Sequence, residues 1–277
     1  MRVGYCVPHT PAMASYRFRV AIPAPLLGCE YEIGCTGNPS FFYKHFEGDL
    51  EIAKAPFVYD VVNDHFTGKL GRHYRTMCAR AEVVTVGSES MAETVKSYTG
   101  RDAVIIDDPW ENEERTPACE GPEVLWFGHA ANMASLVPYV DLPHLVVCSN
   151  IPNVIKWTPD SERRALDCCA VVLVTGTNPG ASSNRIVKAL RHGRFVVTPG
   201  GVPAWDEFAP YIWVGDVREG IKWALNNREE ACQKILKGQE FVRERNSPAR
   251  IAAQWMEVFG STLAPATSDK RDGSALT

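Results

Sequence analysis

Two basic residues open the stretch of this chain that is best suited to hold an anion. Arg185 and Lys188 lie in a predicted helix, residues 183–192, which follows a loop of small polar residues, Thr175–Ser183. The backbone N–H groups of a first helical turn have no partner inside the helix, and the helix dipole favours negative charge there. Ser183 and Asn184 stand at that turn. The pattern predicts a clamp for a diphosphate, in which both cations stabilise a leaving group.

Two other turns of the second half leave backbone open to a ligand. The predicted contacts for a nucleotide or a sugar are Gly128, His129 and Asn132 in the first turn, and Gly200, Gly201 and Asp206 in the second. The first turn leads from a strand into a predicted helix, whose amides suit phosphate. The second follows an apolar strand, and its glycines permit close backbone approach. The alternative for this second segment is an ordinary turn in which Asp206 or Glu207 caps a helix.

Polar residues also follow a buried strand of the first half. Asp64 and His65 come directly after the apolar run Phe57–Val62. In an open parallel sheet, ligands collect at the carboxyl ends of the strands. A carboxylate and an imidazole there could orient an acceptor hydroxyl and take up its proton. The alternative is structural, with Asp60 and Asp64 capping the next helix.

Three residues near the N-terminus are predicted to contact the acceptor, the substrate whose hydroxyl would receive the transferred group. His9 ends the first predicted strand, and Arg17 and Arg19 stand at alternate positions near a helix start. The planar guanidinium suits phosphate or carboxylate. The alternatives are an exposed loop histidine and a solvated helical face.

Strands and helices that alternate along the chain must position these residues. Apolar runs predict strands at 2–7, 57–62, 83–86, 103–106, 123–127, 144–148, 154–157, 171–174, 195–198 and 211–214. Helical patterns lie between them, among them residues 132–140, 183–192 and 217–226, which predicts doubly wound parallel sheets. Residues 107–122 are acidic and aperiodic and form the predicted interdomain linker. We therefore expect an N-terminal domain over 1–116, completed by a final helix at 248–260, a second domain over 117–247, and a disordered tail over 261–277.

Three stretches resemble, in order, segments of the GT-B glycosyltransferases, especially the retaining GT4 family (glycosyl transferase group 1). The first is Tyr59–Asp64 with Ala79–Glu89, the second is Val124–Asn132, and the third is Asn184–Gly201. Together they span roughly residues 57–225. The resemblance implies two facing Rossmann-like domains with a cleft between them, the acceptor on the first and the nucleotide sugar on the second. It also implies transfer of the sugar to an acceptor hydroxyl, with retention, no metal and no separate cofactor.

The chain departs from this family at two positions. Retaining members often carry two glutamates eight positions apart, and the matching positions here are Gly180 and Lys188. Two alternatives therefore stay open. One is a non-catalytic GT-B domain that binds a nucleotide or glycan and supports a partner enzyme; the other is epimerisation of a nucleotide sugar.

The composition of the chain argues against several classes of partner and site. The 277 residues carry a net charge of −4, and the first half holds more acidic than basic residues, which disfavours DNA as the acceptor. The nine cysteines show no CxxC pair, and no apolar run approaches the length of a membrane helix. These features predict a cytoplasmic protein without a transmembrane segment or a metal site. The family resemblance implies a glycan as the default acceptor. Oligomeric state does not follow from the sequence.

Overall fold

The computed structural model contains two parallel six-stranded sheets, each flanked by helices. It describes residues 2–6, 13–28, 30–33, 41–43, 53, 56–176, 178 and 180–263. The first sheet has the order β2-β1-β3-β4-β5-β6. Its strands are β1 Arg2–Cys6, β2 Glu30–Ile33, β3 Phe41–Tyr43, β4 Val58–Val61, β5 Val83–Val86 and β6 Val104–Ile105.

The second sheet repeats the arrangement in the order β12-β11-β10-β7-β8-β9. Its strands are β7 Val124–Phe127, β8 Leu145–Ser149, β9 Ile155–Lys156, β10 Val171–Leu173, β11 Phe195–Thr198 and β12 Trp213–Val214. All residues of β7, β10 and β11 are buried. Continuous burial is expected of central parallel strands, which are covered by helices on both faces. The two sheets confirm the predicted fold class.

The helices follow the predicted alternation. They are α1 Ala14–Tyr16, which continues as a π-helical turn over Arg17–Ala21, α2 Gly71–Arg80, α3 Glu89–Thr99, α4 Pro159–Cys168, α5 Asn184–Arg191, α6 Val217–Asn226, α7 Arg228–Arg245 and α8 Pro248–Leu263. No helix in this described part of the chain combines the length and the apolar character needed to span a bilayer. The predicted helix at 132–140 is wrong, because two 3-10 segments, Ala130–Ser135 and Val137–Tyr139, stand there. Pro138 supplies no N–H, so an α-helix over this segment would lack a bond.

The last helix lies on the first sheet. Trp255 packs edge-on against Phe41, with ring centroids 5.3 Å apart, and Phe259 packs similarly against Tyr5 at 6.1 Å. These side chains belong to one buried apolar cluster with Ile251. The helix continues to Leu263, three residues past its predicted end. Residues 264–277 of the predicted tail lie outside the described residues.

The linker is held against the second domain by backbone hydrogen bonds. The Arg115 amide donates to the Arg191 carbonyl at 2.8 Å, and the Ala118 amide donates to the Gly193 carbonyl at 2.9 Å. Gly193 ends α5 with φ of 71°, in the left-handed region. A Cβ at this position would collide with the Thr116 carbonyl. Gly193 therefore ends the helix, and its lack of a side chain lets the linker pack beside it.

Candidate functional site

The carboxyl ends of the two sheets face one another and touch. A Cβ placed on Gly180, in the loop after β10, would lie 2.5 Å from Met91 Cε in the first turn of α3. The α3 helix also packs beside the 3-10 segment Pro203–Phe208, which follows β11. Because Gly180 has no side chain, Met91 of the first domain can pack against the loop that leads into α5.

Arg185 lies where the ends of β7 and β10 meet the start of α5. Its Nη2 donates to the Thr175 carbonyl at 2.5 Å, and a Cβ on Gly128 would lie 3.5 Å from its Nη1. Nη1 is buried without a hydrogen-bond partner, and no carboxylate among the described residues pairs with this guanidinium. Burial lowers the pKa of Arg185 to about 10. A buried donor without a partner is costly, and an anionic oxygen would satisfy it.

The residues around Arg185 are held by a hydrogen-bonded group that sequence patterns did not reveal. Thr175 Oγ1 accepts from Trp126 Nε1 at 2.9 Å and lies 2.7 Å from Ser135 Oγ. The indole edge of Trp126 lies 3.1 Å from the position of a Cβ on Gly128. Gly128 therefore permits the close packing of the Trp126 ring against this turn.

The predicted turn residues of the second domain lie around this point. His129 caps the following 3-10 segment, where its Nδ1 accepts from the Ala131 amide at 3.2 Å, and Asn132 is exposed. Ser183 begins α5 without a side-chain cap, so the amide of Asn184 receives no bond from it.

The glycine turn after β11 has the backbone that its sequence suggested. Gly200 and Gly201 have φ of 81° and 83°, in the region that favours glycine. Asp206 is exposed. Glu207 instead pairs with Arg245 at 2.8 Å, and burial raises the pKa of this glutamate.

Lys188 does not offer a free charge. Its Nζ lies 2.6 Å from Glu162 Oε1 and also bonds Glu111 of the linker, and its side chain is 12% exposed. Glu111 in turn receives two bonds from Arg17, at 2.6 and 3.0 Å. The predicted donor cation Lys188 and the predicted acceptor contact Arg17 therefore share one carboxylate. Of the two cations predicted to clamp a diphosphate, only Arg185 lacks a carboxylate partner in the described part of the chain.

Replacing Lys188 with methionine is expected to destabilise the fold and to alter its pH dependence. Burial alone would raise the pKa of Glu111, but the bonds and charges of Arg17 and Lys188 lower it below its ordinary 4.5. A lowered folded-state pKa gives stability that is present at neutral pH and is lost as the pH falls through that pKa. Without Lys188 two partly buried carboxylates lose a cation, and we expect a loss of about 1–3 kcal/mol at pH 7. Urea unfolding at pH 7 and pH 4 measures both effects. An unchanged pH dependence would contradict this role.

A cavity of about 400 Å³ opens beside this ion network. Its walls include Trp157, Glu162 and Leu166 from the second domain, Glu111 from the linker, and Arg17 from the first domain. Glu162 Oε2 accepts from Trp157 Nε1 at 2.6 Å, which orients both groups. Lys188 lies three residues after Arg185 on α5, a spacing that places neighbours on one helical face. The cavity therefore meets α5 one turn beyond Arg185, which is not among the residues that line it.

The two predicted catalytic residues of the first domain lie at the surface. Asp64 and His65 are both exposed, and Asp64 Oδ1 accepts from the Phe66 amide at 3.1 Å. This bond fixes the turn that leads toward α2, in line with the structural alternative for Asp64. His9 lies outside the described residues.

Arg19, the second predicted acceptor arginine, is buried inside the first domain. The residue is 2% exposed and forms a bidentate pair with Asp60, at 3.0 and 2.6 Å. Thr85 Oγ1 donates to the same carboxylate at 2.8 Å, and the guanidinium stacks 5.1 Å from the Trp255 ring. Asp60 is not a helix cap, because it lies within β4 and is fully buried. This placement gives Arg19 a structural role and leaves its predicted contact with an acceptor unsupported.

Three carboxylates of the linker and of α4 were not predicted from the sequence. Asp108, Glu111 and Glu162 all line cavities, but an acidic aperiodic stretch and a helical first turn gave no reason to select them. One signal was available. Beside its buried apolar residues, the helix α5 contains the basic residues Lys188 and Arg191, and such cations need carboxylate partners from elsewhere in the chain.

The fold was compared with known proteins. No family model and no curated protein matches the chain. Anabaena HepE, solved with UDP and glucose and also with UDP-glucose, superposes with a TM-score of 0.72 at 13% identity, over 94% of this chain and 100% of that chain. TarM superposes with a TM-score of 0.58 at 12% identity, over 79% of this chain and 54% of that chain. These likenesses show the GT-B fold of glycosyltransferases.

Proposed function

We propose that this chain is a glycosyltransferase that uses a nucleoside diphosphate sugar as donor. The observation that carries the proposal is the unpartnered, buried Nη1 of Arg185, at the carboxyl ends of β7 and β10 beside the first turn of α5. A diphosphate would give this nitrogen an acceptor and would also meet the amides of Ser183 and Asn184. Gly201, where a Cβ would have no heavy atom within 4 Å, leaves room for the phosphates or the sugar.

The adjoining cavity would take the nucleoside. An aromatic wall at Trp157 suits a flat base, and the carboxylates of Glu111 and Glu162 can accept bonds from ribose hydroxyls. In this chain, acidic groups of the linker and of α4 would make contacts that the resembled family assigns to a glutamate at the position of Lys188. The fold likeness to a protein solved with UDP-glucose makes uracil the first base to test.

The proposed reaction moves the sugar from the diphosphate to an acceptor hydroxyl. The bond between the anomeric carbon and the phosphate oxygen breaks, and its electron pair leaves with the diphosphate. Arg185 and the α5 dipole would stabilise that charge, which removes the need for a metal in this role. We propose retention from the family resemblance alone, and a glycan hydroxyl as the acceptor.

A second function, a non-catalytic nucleotide-binding domain, is favoured by one observation. The Arg17–Glu111–Lys188–Glu162 network ties the first domain to the second, and Gly180 already touches Met91. A cleft braced in this way could bind a nucleotide without turning over its sugar.

Thermal unfolding with UDP, GDP, ADP, dTDP and CMP, each free and sugar-linked, tests both functions. A ligand at about 100 times its Kd adds roughly 2.7 kcal/mol to the free energy of unfolding, which gives a measurable shift. We expect UDP and UDP-sugars to raise the melting temperature, and UDP release from a UDP-sugar to follow. Binding without release would favour the non-catalytic domain, whereas no shift with any nucleotide would contradict both.

A further inference from the structure

The facing edges of the two domains enclose a cavity of about 20 Å³. Val62 and Gly87 contribute from the ends of β4 and β5, Gly180 and Ser182 contribute from the loop after β10, and Asp108 enters from the linker. A single water molecule or hydroxyl oxygen fits such a volume. The cavity lies between the predicted acceptor side and the loop that ends two residues before Arg185.

Asp108 is the carboxylate that faces this cavity. Its side chain is 11% exposed and hydrogen-bonds to Ser182, and its Oδ1 lies 3.6 Å from Arg19 Nη1. That guanidinium is already committed to Asp60 through two shorter bonds. Among the described residues, Asp108 therefore has only a partial share of one positive charge. Two further carboxylates face it, Asp60 from β4 and Asp107 from the linker.

This environment makes the Asp108 carboxylate a better proton acceptor than an ordinary aspartate. Burial, the largest effect, raises its pKa, and the charges of Asp60 and Asp107 act in the same direction. Arg19 and the bond from Ser182 oppose the increase without cancelling it. A base with a raised pKa is more effective near neutral pH.

We propose that Asp108 accepts the proton of the attacking hydroxyl when that hydroxyl occupies the small cavity. This inference rests on the proposed glycosyl transfer. The diphosphate leaves with the electrons of the sugar–phosphate bond, the hydroxyl oxygen bonds to the anomeric carbon on the same face, as the proposed retention requires, and the hydroxyl proton moves to an Asp108 oxygen. Asp64 and His65, the bases predicted from sequence, are exposed and do not line this cavity.

Release of UDP from UDP-glucose, with water as the acceptor, tests the inference. Asp108→Asn keeps the size of the side chain and its bond to Ser182 but removes the base. We expect the rate to fall by about 100-fold or more, while the melting shift caused by UDP is kept. The wild-type rate should rise with pH through the raised pKa of Asp108, and the variant should lose that rise.

Asp102→Asn is the matched control and should keep the wild-type rate, because Asp102 is exposed, pairs with Lys96 at 2.7 Å and does not line the cavity. Equal rates in Asp108→Asn and wild type would overturn the inference and leave the proposed function standing. Loss of the UDP shift in Asp108→Asn would show that the residue shapes the cleft, which also overturns the proton-transfer role. A wild type that neither binds UDP nor releases it from UDP-glucose would remove the proposed function and this inference together. If the variant does not fold, a wild-type rate that is independent of pH between about pH 4 and 8 overturns the inference.

Discussion

Replacing Arg185 with methionine is expected to abolish the stabilisation caused by UDP while making the free protein more stable. The ligand would lose a charge-assisted partner inside a partly buried site, a loss of about 2–5 kcal/mol in binding free energy. Without ligand, methionine removes a buried Nη1 that has no partner, and we expect a gain of about 1 kcal/mol in the free energy of unfolding. Turnover of the donor sugar should fall by about 100- to 1000-fold.

The matched control is Arg191→Met on the same helix. Arg191 pairs with Glu114 and stacks on Trp110 at 4.2 Å, so its charge is already matched. This variant should lose stability and keep its response to UDP. Thermal unfolding with and without UDP measures both variants. If Arg185→Met kept the UDP shift, or if both variants lost it equally, the diphosphate would have to bind elsewhere.

Replacing Asp60 with alanine is expected to have the largest effect on stability. Among the described residues, the change leaves the Arg19 guanidinium inside the first domain with carbonyl partners and with one carboxylate, Asp108, at 3.6 Å. Removing one partner of a buried ion pair costs about 3–5 kcal/mol, because the other charge stays buried without compensation. Urea unfolding at pH 7 measures this loss.

Asp64→Ala is the control, because Asp64 is exposed and its side chain bonds one backbone amide, that of Phe66. We expect a loss of about 1 kcal/mol or less there. The double variant Arg19→Met with Asp60→Leu should recover most of the stability lost by Asp60→Ala, since apolar replacements of a buried pair are often neutral. Similar midpoints for Asp60→Ala and Asp64→Ala would mean that the buried pair contributes little.

Local patterns predicted the elements whose signals are complete within a few residues. β5 Val83–Val86, β11 Phe195–Thr198 and α6 Val217–Asn226 have the predicted bounds. The two strands are short apolar runs between polar turns. The helix α6 has a cap residue at its start, where the Asp216 side chain accepts from the Glu219 amide at 2.8 Å. β2 Glu30–Ile33 and β3 Phe41–Tyr43 were missed. One contains two glutamates and the other has three residues, so neither carries a strand pattern of its own.

The candidate site also has features that residue order predicts and features that only the tertiary structure decides. The sequence by itself determined that parallel strands end in glycine turns and that a basic helix begins beside them, because both follow from residue order. Which cation is available was decided only by the tertiary structure. Arg19 meets Asp60 41 residues away, and Lys188 meets Glu111 77 residues away. A charge is free or matched according to the partners that folding brings within about 4 Å, and no local pattern encodes those partners. For that reason the sequence predicts the same role, binding of an anion, for Arg185, Lys188 and Arg19. In the folded protein their carboxylate partners differ.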